Sequence, residues 1–74
     1  MEEVMELFKQ YQPIRSIYEN DDEYICVLET GKSEPLTVFY NKLLKKYDEL
    51  YWYEYSPADD IEMSKLIYGE ELKF

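Results

Sequence analysis

Apolar residues in the first dozen positions recur at steps of three and four: Met1, Val4, Met5, Phe8 and Tyr11 or Gln12. That spacing predicts an amphipathic helix over residues 2–12, with Leu7 and Tyr11 widening its buried stripe. Glu2, Glu3 and Glu6 suit the positive end of the helix dipole, and Pro13 should end the helix by driving Gln12 out of the α region. Residues 14–19 and 23–29 then read as strands, the second carrying Tyr24-Ile25-Cys26-Val27-Leu28. Asn20-Asp21-Asp22 supplies a turn between them, and Thr30-Gly31-Lys32-Ser33 closes the second strand.

The next segment supports two periods. Leu36, Phe39, Tyr40, Leu43, Leu44 and Tyr47 match a helical stripe, while Leu36-Thr37-Val38-Phe39-Tyr40 favours a strand. Its length argues for a helix over about 37–48 with Thr37 as N-cap, and residues 35–40 stay open between strand and helix. Residues 50–55 read as a strand because Tyr51, Trp52, Tyr53 and Tyr55 are good β formers. Ser56-Pro57-Ala58-Asp59 resembles a helix start, with Ser56 capping, Pro57 first and Asp59 as the capping-box acid. That helix should run to about Tyr68, with Gly69 just past its end and residues 70–74 as a frayed tail. The expected fold is α+β: one small domain over 1–74, order α-β-β-α-β-α, with a three-stranded sheet packed against helices.

Length bounds the stability of such a fold. A chain of 74 residues buries only about 60–65% of its unfolded surface, enough for one thin core. Its 46% apolar residues suffice for folding. The acidic N-terminus, the lack of an apolar run near eighteen residues and the single Cys26 predict a cytoplasmic protein with its thiol in the core.

Chemistry is constrained by what is missing. There is no histidine, so neither a Cys/His zinc site nor His-based acid–base catalysis is available. Asp21/Asp22 and Asp59/Asp60 are the paired carboxylates, but each pair is adjacent and reads as solvated turn or cap residues. Asn20-Asp21-Asp22 lacks the alternate spacing and distal Glu of a calcium loop. Gly31-Lys32-Ser33 lacks the upstream glycine of a phosphate loop. The expectation is no enzyme, no catalytic residue, no metal and no cofactor.

Charge selects the partner. Eight basic against seventeen acidic residues give −9, which repels polyanions at long range. Lys42, Lys45 and Lys46 beside Tyr51, Tyr53 and Tyr55 are too few to reverse that balance, so direct nucleic-acid binding is not expected, nor is a membrane partner. Protein recognition remains. On a strand over 50–55, Tyr51, Tyr53 and Tyr55 share one face and would form a stripe of interface anchors if Leu50 and Trp52 face the helices. The opposite reading makes the tyrosines the packed face and leaves Trp52 half exposed. Asp21, Asp22, Asp59 and Asp60 would supply charge contacts to a basic surface on the partner.

The expected function is therefore a small acidic interaction module, an inhibitor or adaptor that binds a basic, nucleic-acid-binding site on another protein as a DNA mimic. In size, acidity and composition the chain is similar to small accessory proteins of phages and mobile elements. The alternative is a structural or oligomerising protein that forms a homodimer through its sheet.

Overall fold

The computed structural model describes residues 2–29 and 36–71. The elements are α1 (Glu2–Leu7), β1 (Ile14–Glu19), β2 (Glu23–Leu28), β3 (Leu36–Asn41), β4 (Lys46–Tyr51), α2 (Ala58–Glu62) and β5 (Lys65–Gly69). The strands form one antiparallel sheet in the order β4-β3-β2-β1-β5. This corrects the expected three-stranded sheet and its element order. The first helix, both strands of the first hairpin and the turn at Asn20-Asp21-Asp22 stand where the pattern predicts them, although α1 stops at Leu7. The expected turn at 30–33 and residues 72–74 of the expected frayed tail lie outside the described residues.

The largest correction falls on 37–48, a hairpin rather than a helix. In β3 the consecutive residues Thr37, Val38, Phe39 and Tyr40 are all buried. Alternation sends Val38 and Tyr40 into one core and Phe39 into the other. A helix would bury only a stripe of this run; a strand in mid-sheet buries both faces. Asn41 then makes the turn: its Oδ1 accepts the N–H groups of Leu43 at 3.0 Å and Leu44 at 2.8 Å. Lys45 completes it at φ 55°, a left-handed conformation.

Two further corrections follow from pairing. The expected strand 50–55 ends at Tyr51, because the Tyr51 carbonyl accepts the N–H groups of Glu54 at 2.9 Å and Tyr55 at 3.1 Å and turns the chain. The expected helix to Tyr68 ends at Glu62, and Lys65–Gly69 becomes an edge strand against β1. Pro57 occupies the N-cap position without a side-chain cap bond. The Ser56 hydroxyl accepts only the Ala58 N–H, at 3.4 Å.

The sheet thus separates two small cores. On one face, Val4 of α1 and the fully buried Phe8 just past its end pack over Ile17, Cys26, Leu28, Val38 and Tyr40. Rings dominate this side: Tyr40 and Tyr47 lie 4.8 Å apart and Phe8 meets Tyr47 edge-on at 6.1 Å. Tyr47 donates its hydroxyl to the Leu7 carbonyl at 2.7 Å, tying the outer strand to the end of the helix. On the opposite face, Tyr18, Ile25, Val27 and Phe39 lie with Ile61 of α2 and with Leu50, Trp52 and Leu66. Trp52 donates Nε1–H to the Thr37 hydroxyl at 2.6 Å, which holds the segment after β4 across this face.

Candidate acidic binding face

Strand alternation positions the first carboxylates. Glu23 shares the face of Ile25 and Val27, and Asp48 stands on β4 opposite Phe39 on the same face. Crossing this face, α2 adds Asp60. These groups line a shallow cleft of about 200 Å³ with Phe39, Leu50 and Tyr55 as its apolar surface. A second cleft of about 320 Å³ shares Glu23 and Asp60 and is completed by Asn20, Asp21, Asp22 and Met63. Two acidic stretches nearly forty residues apart thereby form one continuous negative surface, with no basic side chain among the residues lining either cleft.

Local bonds fix this geometry. Asn20 Oδ1 accepts the N–H groups of Asp22 and Glu23, each at 2.9 Å, and shapes the turn. Asn20 Nδ2 donates to the Ser64 hydroxyl at 3.0 Å, and Ser64 donates to the Asp60 carbonyl at 2.6 Å. This relay links the β1–β2 turn to α2 directly. Tyr55 donates its hydroxyl to Asp60 Oδ2 at 2.6 Å and lies edge-on to Phe39 at 6.0 Å.

The electrostatics record the crowding. Burial pushes the Glu23 carboxyl above the ordinary glutamate range, and the charges of Asp60, Asp22 and Asp48 push it the same way. The bond to Asp60 raises the Tyr55 phenol, and the adjacent negative charge adds to that. Glu19, by contrast, is held below its ordinary range by Lys42, which donates Nζ–H to Glu19 Oε2 at 2.8 Å.

Of the residues singled out from the sequence, Asp21, Asp22, Asp60 and Tyr55 converge on this face. Asp59 is exposed on α2 and lines neither cleft. The tyrosine stripe does not form: Tyr51 ends β4, while Tyr53 and Tyr55 lie beyond it, with Tyr53 stacked on Tyr51 at 5.6 Å. Much of the tyrosine content is instead interior, since Tyr11, Tyr24, Tyr40 and Tyr47 pack on the α1 face and Tyr18 is buried on the other. The expected contacts include neither Glu23, an acid beside the first turn, nor Asp48. Both sit on strands beside apolar neighbours, and only the correct register reveals that they face Asp60.

Among the described residues no group of three or more His, Cys, Asp or Glu side chains is placed to hold a metal ion. No described helix is long and apolar enough to cross a membrane. Comparison of the chain with protein-family models, curated proteins and solved structures finds no match.

Proposed function

We propose that this chain is a cytoplasmic, acidic interaction module, an inhibitor or adaptor rather than an enzyme, that docks on a basic, nucleic-acid-binding site of a partner protein. One observation carries the reading: Glu23, Asp48 and Asp60 surround the apolar surface of Phe39, Leu50 and Tyr55, and Glu23 and Asp60 also line the adjoining cleft with Asp21 and Asp22. Separated carboxylates on β2, β4, the β1–β2 turn and α2 present negative charge at several points of one surface, as a phosphate backbone does, and steer association with a cationic groove. The apolar surface between them offers burial that a purely electrostatic contact lacks.

The test is capture from lysate on the immobilised protein, in parallel with the triple variant Asp21→Asn, Asp22→Asn, Asp60→Asn. Captured proteins should be basic, be displaced by a short DNA duplex and be lost on the variant. Retention that ignores both salt and duplex refutes the mimicry.

The second reading is a homodimer through the sheet. It is favoured by β4 and β5 standing as the two edges of the sheet, the positions at which a strand of a second copy would pair. Sedimentation over a hundredfold concentration range separates the two readings, because a monomer at high micromolar concentration removes the second.

A further inference from the structure

The β3–β4 turn carries an apolar tip that no described element covers. Leu43 is 87% exposed and Leu44 61% exposed. Turns ordinarily place Gly, Asn, Asp or Ser at such positions, and two adjacent leucines in solvent contribute little burial to the fold. The backbone beneath them is firmly held. Asn41 Oδ1 accepts both leucine N–H groups, and the Asn41 carbonyl accepts the Lys45 N–H at 2.8 Å. Lys42 anchors the turn to its neighbour: its N–H donates to the Asp22 carbonyl at 3.0 Å, and Nζ donates to Glu19 and to the Asn20 carbonyl at 2.7 Å.

The two hairpin turns at this end of the sheet are therefore one tied unit, with an open groove of about 600 Å³ between them. Asp21 and Asp22 line one side, and Asn41, Lys42, Leu43 and Leu44 line the other. Asp21 and Asp22 are exposed, while Lys42, the one basic residue lining the groove, has its ammonium on Glu19 and the Asn20 carbonyl. The groove thus pairs an apolar wall with a negative one.

We infer that this groove receives a basic amphipathic segment of a partner protein, one apolar side chain seating on Leu43 and Leu44 while an adjacent Lys or Arg meets Asp21 and Asp22. The inference rests on the proposed reading of a basic protein partner and adds where its apolar anchor binds. Charge complementarity selects this occupant: a chain of net charge −9 repels nucleic acid, and a bare polycation has nothing to place against the leucines. Because the turn is already held in place, little conformational freedom is lost on binding.

The experiment is an amide-resolved NMR titration of the full chain at low salt with two synthetic probes of equal charge, an amphipathic Lys/Leu peptide and oligolysine. The Lys/Leu peptide should shift the amides of Asp21, Asp22, Leu43 and Leu44 and bind more tightly than oligolysine. Leu43→Ser with Leu44→Ser should weaken the Lys/Leu peptide by roughly tenfold or more, leave oligolysine unchanged and keep the wild-type melting curve. The single variant Leu43→Ser gives the same readout with a smaller change. Unaltered Lys/Leu affinity in both variants overturns the inference. If the shifts centre on Glu23, Asp48 and Asp60 instead, the groove assignment fails and the acidic-face reading stands. If neither probe binds wild-type protein, both fail.

Discussion

Tyr55 donates its phenolic hydrogen to Asp60 across 2.6 Å, so an aromatic side chain from the loop after β4 and a carboxylate of α2 hold each other over the edge of Phe39. The two residues are five apart in the chain, and the short turn that leads from Tyr55 into α2 brings them together. The bond fixes the orientation of the one tyrosine that reaches the acidic face.

That bond has a titration signature. Removing the Tyr55 proton would set a phenolate against the Asp60 carboxylate, so the phenol ionises above the ordinary tyrosine range. In protein labelled with 3-fluorotyrosine, the resonance that disappears in Tyr55→Phe should titrate later than an exposed tyrosine. Asp60→Asn should bring it down. An unchanged midpoint in Asp60→Asn would show that the bond does not persist in solution.

Glu23 makes stability depend on pH in an unusual direction for a carboxylate. Its folded-state pKa is raised, so the folded protein binds more protons than the unfolded chain between the ordinary glutamate value and the raised one. Stability from this group is therefore full below the ordinary value and is lost as pH rises through that window. Glu23→Gln should raise the melting temperature at pH 7, and the gain should vanish below about pH 4. Thermal unfolding followed at both pH values checks this.

Cys26 is fully buried on the α1 face, and burial pushes its thiol pKa up to about 12. An aromatic disulfide reagent should leave the native protein unmodified at pH 8 and label one thiol per chain once denaturant unfolds it. Rapid labelling without denaturant would contradict the packing of β2.

Gly69 has φ +83°, and a side chain there would run into the Arg15 carbonyl oxygen. Both the conformation and the backbone clash oppose a side chain, so Gly69→Ala should destabilise by at least about 2 kcal/mol. Denaturant unfolding of the variant measures it. A loss under about 0.5 kcal/mol, the range of an ordinary surface substitution, would mean that β5 does not pair with β1 as described.

Lys42 links the two turns through Glu19, the Asn20 carbonyl and a Tyr24 ring 4.7 Å from its ammonium. Lys42→Met keeps the stem and removes the charge, and should cost about 1–2 kcal/mol. Glu19 is depressed by the same ion pair, so this contribution is present above the ordinary glutamate value and fades as pH falls through the lowered one. The difference in unfolding free energy should narrow in acid as the Glu19 pair is lost, while the bond to the Asn20 carbonyl and the Tyr24 ring contact keep it above zero.

What the sequence alone determined is local. The start of the first helix, the strands Ile14–Glu19 and Glu23–Leu28 and the Asn20 turn follow from side-chain period and turn chemistry within a few residues of each other. The acidity and the lone cysteine are likewise plain in the composition. Tertiary structure decided the rest. The pattern over Leu36–Tyr47 reads as a helix on length, with strand propensity only over Leu36–Tyr40, and a hairpin forms instead because neighbouring strands on both sides let every residue from Thr37 to Tyr40 be buried. Lys65–Gly69 is a strand because β1 offers it an open edge. The acidic face belongs to this second category: Asp21, Asp22 and Asp60 are visible as acids in the sequence, but only the sheet register and the return of α2 across it bring them to Glu23, Asp48 and one another.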